Sequence, residues 1–509
     1  MGSYLSPGLY PKETDFSFYV KQISTSVAAM VGIAEKGPIN KPVLVTSWEQ
    51  FTRSFGAYIA ESYLAYAARA FFDNGGAVLW VVRVAHYGTI TDKSTLAAKR
   101  STAVIPDTQA TPVDLFRITA LNEGSWGDKV SIAISANEEV PASLFDITVL
   151  HRGNKVEKFV SISMDPSQES FIETALNDRS AYITVEDIGV ATAGTLRLPA
   201  LITIAMTSGN DGLDSLSDMD FVGDPSIRTG IFATSEIDEL NMLMVPGISS
   251  ASLISSAIGY AESRKDLLFI AEAAAHLEPS EVVEFRKGQG AYTHAAFNSS
   301  YASLYYPWLE IQDPLTSKSK LIPPSGAVAG CIARSDQKTQ VWYAPAGTDR
   351  GRIFGILGLA YKTSQGERDT LYPSGVNVIA SFTDSGVNIW GQRTLQSQPS
   401  ATDRINVRRL MMYMEKAISQ SSRFVVFEPN HQQTWRSLAR TVEPFLQDIK
   451  IKGGLYDFAF QCDEETNTPA VIDRNEMIAR VFVKPTRTAE FIELNFILTS
   501  SGADFSEVL

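Results

Sequence analysis

The hydrophobic pattern of the chain alternates between strand-like runs and helical stripes over residues 26–87. This segment opens with an apolar run, Val27 to Ile33, and closes with another, Ala77 to Val84. Nearly continuous apolar runs are typical of strands buried on both faces of a sheet. A capping-box pattern at Ser47 and an Ala-rich stretch from Glu61 to Phe72 predict two helices between the runs. The segment is therefore predicted to be α/β.

The same alternation returns over residues 226–385. Leu240 to Val245 and Asp266 to Ile270 have the composition of buried strands, and Ser250 to Arg264 between them has a helical pattern. Because a strand–helix–strand unit joins parallel strands, we expect these two strands to be parallel neighbours.

Residues 386–487 have the most regular pattern. Amphipathic stripes predict one helix from Arg404 to Ser419 and a second from His431 to Ile449. Short apolar runs around the second helix predict three strands, Arg423 to Phe427, Leu455 to Phe460 and Met477 to Val483.

Residues 88–225 have a different character, because Thr, Ser and Asp rise and helical stripes fade. A turn-rich sequence, Gly209 to Gly212, closes the segment. We predict a mostly β insertion that forms a separate outer domain. Its strand-like runs are Val130 to Ile134, Phe145 to Leu150, Val156 to Ile162 and Leu201 to Met206.

Both ends of the chain carry strand patterns without a hairpin partner nearby. Residues 1–25 are predicted to be an extended arm, and residues 488–509 a second arm. Such strands pair with a distant part of their own chain or with another chain, and the pattern leaves both options open. The alternating apolar positions are Phe16, Phe18 and Val20 in the first arm and Ile492, Leu494, Phe496 and Leu498 in the second.

Composition narrows the classes of function. The 509 residues include 57 acidic and 44 basic side chains, for a net charge of −13, which disfavours general nucleic-acid binding. Two widely spaced cysteines, Cys331 and Cys462, predict free thiols in a reducing cytosol rather than a disulfide or zinc site. The first residues lack a signal-peptide pattern and no window approaches the ~18 apolar residues of a membrane span, so we expect a soluble cytosolic product.

Short motifs follow one another in order along most of the chain. They are Ser6-Pro7-Gly8-Leu9-Tyr10, Gly32 to Asn40 (G-x-A-x-x-G-P-x-N), Thr46 to Phe51, Phe71 to Gly76, Tyr301 to Trp308, Pro323 to Gly326, Ala344 to Gly347, Gly375 to Asn377, Trp390 to Leu395, Asn406 to Arg409 and Phe424 to Asn430. With this series the chain resembles the contractile tail sheath proteins of phages and phage-derived particles. It departs from them at Phe382 to Gly386, which lacks the expected Gly-Arg-Gly, and over residues 88–225, which carry no motif.

The resemblance implies a structural subunit rather than an enzyme. Such subunits polymerise as stacked six-fold rings around an inner tail tube and contract to drive the tube through the target cell envelope. Their N- and C-terminal arms complete β-sheets in neighbouring copies. The implied partners are other copies of the chain, the tube protein, and baseplate and tail terminator proteins, without nucleic acid, membrane insertion or a cofactor. The implied location is a virion tail or phage-derived particle assembled in the bacterial host cytoplasm.

The resemblance also implies a multidomain fold of α+β and α/β parts. An inner α/β domain is built from the N- and C-terminal parts, and a middle α/β domain has subtilisin-like topology without catalytic residues. A mostly β outer insertion and extended arms complete it. The predicted domains are 1–25 (arm), 26–87 (start of the middle domain), 88–225 (insertion), 226–385 (middle domain), 386–487 (inner domain facing the tube) and 488–509 (arm).

A local excess of positive charge points to a weak interface. Residues 404–452 contain nine basic and four acidic side chains, which leaves the rest of the chain at −18. A basic face here could hold an acidic tube loosely, because exposed ion pairs contribute only ~0–1 kcal/mol each. An ordinary solvated helix face explains the same residues. The predicted tube-facing residues are Arg436, Arg440, Arg404 and Arg408.

Three other functions remain to be weighed. A subtilisin-like hydrolase is disfavoured, because none of the five histidines lies in the sequence context of a catalytic nucleophile and no Gly-x-Ser-x-Gly elbow occurs. A type VI secretion sheath is built from two chains, whereas this single chain carries the motifs of both ends. The sheath of a non-viral extracellular injection particle stays open as an alternative to a phage tail.

Overall fold

The computed structural model describes residues 23–109, 111–136, 144–189 and 198–493. The described residues fall into two compact units, 23–420 and 421–493. The boundary predicted at residue 386 therefore lies inside the first unit. The helix that begins at Ile405 explains the difference, because its first half packs into the core of that unit.

The first unit is built on an eight-stranded sheet with the order β18-β17-β13-β12-β11-β1-β3-β2. Six central strands are parallel, and the edge strands β2 and β18 run antiparallel to their neighbours. The strands are β1 (Ala28–Gly32), β2 (Val43–Val45), β3 (Leu79–Arg83), β11 (Met242–Met244), β12 (Leu268–Glu272), β13 (Ala302–Tyr306), β17 (Val376–Phe382) and β18 (Gly386–Ile389).

Both faces of this sheet are buried, as the continuous apolar runs predict. In β1, Ala29 and Val31 point into one apolar cluster, and Ala28 and Met30 point into the other. Helices α5 (Ala251–Arg264) and α6 (Pro279–Lys287) cover the first face. The second face is covered by α1 (Trp48–Phe55), α2 (Leu64–Asp73), α7 (Ser325–Lys338) and α10 (Ile405–Ser421).

Two glycines let α2 and α7 pack closely. A Cβ atom added to Gly326 would lie 2.2 Å from the carbonyl oxygen of Ala67, and one added to Gly330 would lie 2.5 Å from that of Phe71. Side chains at these two positions would push the helices apart. The motif Pro323 to Gly326 therefore has a packing role.

Several local predictions are confirmed. The strand–helix–strand unit β11-α5-β12 forms a parallel pair, and Ser250 caps α5 by accepting a hydrogen bond from the Leu253 amide. Ser47 caps α1, but Gln50 accepts from the Thr46 amide rather than from Ser47. The capping box is therefore only half formed.

A small sheet and two short helices lie in the same unit. The sheet has the order β15-β14-β16. Its strands are β14 (Leu309–Gln312), β15 (Ser319–Ile322) and β16 (Gly358–Leu359), and the helices are α8 (Gly347–Arg350) and α9 (Gln365–Leu371).

The segment between β3 and β11 folds around a core of its own, built from two antiparallel sheets, β10-β6-β7-β8 and β4-β5-β9. The four strands expected from the sequence are present as β6 (Val130–Ala136), β7 (Phe145–His151), β8 (Asn154–Ile162) and β10 (Thr203–Ala205). Three further strands, β4 (Thr102–Pro106), β5 (Asp114–Ala120) and β9 (Ile183–Asp187), were not predicted. Two short helices, α3 (Ile172–Leu176) and α4 (Asp218–Val222), are also present.

Over residues 421–493 the second unit contains a long helix and two antiparallel strands, called the hairpin below, with a short helix in the connection between the strands. Helix α11 (Gln432–Ile451) buries Trp435, Leu438 and Val442 along one face, as its amphipathic pattern predicts. The remaining elements are β19 (Leu455–Gln461), α12 (Pro469–Asp473) and β20 (Arg480–Pro485).

The strand predicted from Arg423 to Phe427 is wrong. Arg423–Val425 is a short 3-10 helix, and Phe427 has a φ of +73° and is fully exposed. The amides of Val425 and Glu428 bond to carbonyl groups three residues back. These local turns use the hydrogen bonds that a strand would have directed to a neighbour.

Candidate assembly surface

The hairpin β19–β20 is a two-stranded sheet that the unit barely covers. Among the described residues each strand pairs only with the other, with Phe458 opposite Val483. Only Leu455 in the hairpin is buried, while Tyr456 and Phe482 are 64% and 54% exposed. An isolated two-stranded sheet is marginal in water, and its outer edges are templates for further strands.

A buried asparagine side chain, Asn467, fixes the backbone of the segment that leads into β20. The Asn467 amide donates to the carbonyl of Ile478 at 3.0 Å and accepts from the Ile478 amide at 2.7 Å. Asn467 itself is 2% exposed. The hairpin is therefore preorganised although most of its surface is open.

The two predicted arms lie almost wholly outside the described residues. Phe16, Phe18 and Val20 are outside them, and so are Leu494, Phe496 and Leu498. Ile492 is described, and its side chain is 77% exposed in a segment with no assigned strand. The pairing of both arms stays a prediction.

Arg436 and Arg440 lie on the exposed face of α11. The opposite face of the helix buries Trp435 and Leu438, which fixes the direction of both arginines. Neither arginine forms an ion pair with a carboxylate among the described residues. His431 caps the helix by accepting from the Thr434 amide at 3.3 Å.

Arg436 also borders a depression of about 370 Å³ with an acidic wall. Asp463, Glu464 and Glu465 form that wall, and Trp435 lies at its floor. The surface near the start of α11 is therefore mixed in charge, and Arg440, one turn on, does not line the depression.

Arg404 and Arg408 are engaged within the first unit. Arg408 donates to the Ser300 hydroxyl at 2.7 Å and lies 4.3 Å above the ring of Tyr301. Arg404 pairs with Asp403 at 2.9 Å. The contacts of Arg408 favour a role in holding α10 beside the start of β13 over a role at a partner surface, and the charge of Arg404 is already paired with its neighbour.

Most other cations of the segment 404–452 are paired as well. Lys416 bonds to Asp266, and Lys450 and Lys452 pair with Asp457 and Asp448. The nine basic residues therefore do not form one basic face. The candidate tube-facing patch narrows to Arg436 and Arg440.

Among the described residues, one histidine–carboxylate pair is available to test the hydrolase alternative. His86 Nδ1 lies 3.1 Å from an Asp220 oxygen. Asp220 is buried, and it also accepts from the Tyr87 amide and from the amide and hydroxyl of Ser217, at the start of α4. This serine donates to the carboxylate rather than to the histidine, so the group caps a helix and is not arranged for nucleophilic catalysis.

No cluster of three or more potential metal ligands occurs among the described residues. None of the described helices is long and apolar enough to cross a membrane. Cys331 is buried and Cys462 is half-buried, and neither takes part in a disulfide.

Models of three tail sheath domains match this chain in succession. The N-terminal region of domain III of the tail sheath protein Gp18 matches residues 25–84, the phage tail sheath central domain matches 225–395, and the phage tail sheath C-terminal domain matches 397–499. This chain belongs to the phage tail sheath family. The family's match ends just after β3 and resumes at residue 225, which leaves the β insertion outside it.

Curated sheath proteins are also similar in sequence. The tail sheath protein of Vibrio phage KVP40 is 31% identical over 376 residues, which are 71% of this chain and 56% of that protein. The tail sheath protein of Enterobacteria phage T4 is 38% identical over 229 residues, 45% of this chain and 35% of that protein. The chain thus spans about half or less of the length of these two relatives.

Solved sheath structures share the fold. The helical sheath of the anti-feeding prophage in its contracted state superposes with a TM-score of 0.57 at 18% identity, covering 97% of this chain and 99% of that one. The sheath tail protein Lin1278 from Listeria innocua gives a TM-score of 0.60 at 12% identity, covering 91% and 96%. The mixed α/β multidomain fold is therefore that of sheath proteins.

Two family motifs have a structural task that the sequence analysis did not identify. Asn74 is buried, and its side chain donates to the carbonyl of Phe354 and accepts from the Phe354 amide. Asn377 bonds in the same two-sided way to the backbone of Arg393. The sequence does show polar asparagines next to or within apolar runs, which is a sign of a buried polar role. It does not reveal their partners, because these lie far along the chain or in another element.

Proposed function

We propose that this chain is the structural subunit of a contractile tail sheath. Copies polymerise as stacked six-fold rings around an inner tube, and their contraction drives the tube through the target envelope. The observation that carries the proposal is the hairpin β19–β20, an open two-stranded sheet within the part of the chain that matches the sheath C-terminal domain.

The arms of neighbouring copies would complete this sheet. Each added strand supplies main-chain hydrogen bonds along an edge, and alternate side chains set its register. The apolar positions of the N-terminal arm (Phe16, Phe18, Val20) and of the C-terminal arm (Ile492, Leu494, Phe496, Leu498) have the required two-residue period. Exposed Tyr456 and Phe482 supply apolar surface for them.

Arg436 and Arg440 are proposed to face the tube. They are the exposed cations of α11 that have no carboxylate partner among the described residues. Baseplate and tail terminator proteins would contact the ends of the polymer. The role is structural, with a middle domain of subtilisin-like topology that performs no hydrolysis. The particle is a virion tail or an extracellular injection particle assembled in the bacterial cytoplasm, and the resemblance to the anti-feeding prophage sheath suits the second option equally well.

Removal of residues 1–22 tests the pairing. Because the deleted residues precede the sheet of the first unit, the truncated chain should keep its circular dichroism spectrum and melting temperature. It should fail to form the tubes or rings that the full chain forms in negative-stain electron microscopy. Normal polymers from the truncated chain would refute arm exchange, and unfolding would show that the arm pairs within its own chain.

A further inference from the structure

A buried ion pair lies where the N-terminal segment joins the first unit. Arg409 of α10 and Asp336 of α7 have side chains that are 2% and 4% exposed, and Arg409 Nη1 lies 2.9 Å from Asp336 Oδ1. Both residues are outside every surface discussed above, although Arg409 belongs to the motif Asn406 to Arg409.

The second pair of atoms, Arg409 Nη2 and Asp336 Oδ2, bond to each other and also to Thr25. The Thr25 hydroxyl donates to Asp336 Oδ2 at 2.7 Å, and Arg409 Nη2 donates to the Thr25 carbonyl at 2.8 Å. Two residues further on, the amide of Val27 donates to the side chain of Asn241 at 3.1 Å.

The chain fills the groove in which Thr25 lies. Residues 23–25 run past Met412 and Tyr413 of α10 and past Val341, and the free volume left there is only about 10 Å³. That space is about the size of one water molecule, so residues 23–25 pack closely against their surroundings.

The presence of this buried ion pair is not explained by stability alone. A buried ion pair is often no more stabilising than apolar side chains of the same size, because both charges must be desolvated. Here the pair holds the backbone and side chain of one residue, three positions before β1. It fixes the place where the chain leaves the core of the sheet.

We propose that Arg409 and Asp336 anchor the root of the N-terminal arm, so that a pull on the arm by a neighbouring copy passes into α7 and α10. This inference rests on the proposed sheath function. Strand β1 lies between β11 and β3. Without the anchor, tension would reach the first hydrogen bonds of β1 and detach them one at a time.

Hydrogen exchange of the isolated full-length chain tests the anchor without any assembly. Thr25→Val removes only the hydroxyl that bonds to Asp336, and Thr25→Ser keeps it. Amides of residues 23–28 should exchange about tenfold faster in Thr25→Val, the ratio that corresponds to the loss of one hydrogen bond to a charged group. Thr25→Ser should match the unmodified chain.

Thr234→Val is the matched control. Thr234 is buried, and its hydroxyl donates to the carbonyl of Ile231 at 2.7 Å, so the substitution has the same chemistry elsewhere. It should leave the exchange of residues 23–28 unchanged. Equal exchange in Thr25→Val and Thr25→Ser would overturn the anchor.

A double variant, Arg409→Met with Asp336→Leu, removes the pair without leaving an unpaired buried charge. It should fold and should raise exchange at residues 23–28 more than Thr25→Val does. A uniform rise throughout the first unit in both variants would overturn the proposal, because the pair would then be a general core contact.

The role under tension is tested on assembled polymers. Tubes of the double variant should form but break at a lower sonication dose than tubes of the unmodified chain. Equal breakage would overturn the mechanical role even if the exchange result stands. A failure of the unmodified chain to polymerise would count against the proposed function alone, since the exchange experiment does not depend on polymers.

Discussion

Glu272, at the end of β12, shows how much a single buried carboxyl can affect this fold. It accepts hydrogen bonds from the amides of Gly247 and Ser325, at the start of α7. Burial nevertheless raises the pKa of Glu272 to about 7, because the charged form is desolvated. The folded chain therefore binds this proton more tightly than the unfolded chain does, and the corresponding stability is lost as the pH rises through 7.

Glu272→Gln should remove this pH dependence. Relative to the unmodified chain, the free energy of unfolding of the variant should rise between pH 5 and pH 9 by up to about 3 kcal/mol, measured by urea unfolding. Glu262→Gln, an exposed position on α5, is the control and should show no such trend. A difference between Glu272→Gln and the unmodified chain that is the same at both pH values would contradict the assignment.

The basic residues show what a sequence can and cannot reveal at the scale of single side chains. Counting charges identified a segment rich in basic residues, but it could not show that Arg408 and Lys416 bond to residues more than a hundred positions away. Those distant partners are set by tertiary packing, whereas Arg404 pairs with the adjacent Asp403. The helical stripe of α11 needed only local information, and so the exposure of Arg436 and Arg440 was predictable.

At the scale of secondary-structure elements, side chains in the turn after β1 contact the insertion. Glu35 pairs with Arg152 at 2.7 Å, and the ammonium of Lys36 lies 5.7 Å and 5.1 Å from the ring centroids of Trp126 and Tyr182. Burial lowers the pKa of Lys36, opposed by Glu35. The motif from Gly32 to Asn40 therefore helps to hold the insertion in place through these contacts.

Lys36→Met should weaken the contacts between this turn and the insertion. The apolar chain is kept but the cation–π contacts are lost, at a cost of about 0.5–2 kcal/mol. We expect faster hydrogen exchange in residues 124–130 and 180–187, with β11 and β12 unaffected. Lys155→Met, on the exposed end of β8, is the control. Unchanged exchange in the insertion would show that the contacts with Lys36 do not hold it.

The success of the element predictions followed the strength of the local pattern. The run Ala77 to Val84 became the buried strand β3, and the amphipathic stripes became α10 and α11. Strands β4 and β9 were missed because short alternating runs among Thr and Asp carry little periodic signal. The run at Arg423 failed for the opposite reason, since it is apolar but no described strand lies beside it to accept its hydrogen bonds.

For the whole molecule, a sheath must bind itself strongly and its tube weakly. In the proposed function, main-chain pairing of arms on β19–β20 would meet the first need, because every residue of an added strand contributes. The exposed Arg436 and Arg440 would meet the second, since an exposed ion pair contributes only about 0–1 kcal/mol and is screened beyond about 8 Å at physiological salt. The sequence predicted two terminal arms and a basic helix, and both stay predictions as interaction surfaces. The fold adds that β19–β20 is exposed and that, of the four predicted tube-facing residues, only Arg436 and Arg440 are exposed and have no carboxylate partner among the described residues.

The double substitution Arg436→Glu and Arg440→Glu tests this division. Polymers of the chain alone should form normally, whereas co-sedimentation with the tube protein should fall several-fold at low salt, where charge interactions are strongest. The defect should shrink as salt rises, because screening weakens attraction and repulsion alike. Lys93→Glu with Lys155→Glu makes the same charge change on exposed sites of the insertion and should leave tube binding intact. Equal tube binding by both double variants would show that α11 does not contact the tube. Loss of polymers in the Arg436→Glu and Arg440→Glu variant would indicate that α11 lies between copies of the chain instead.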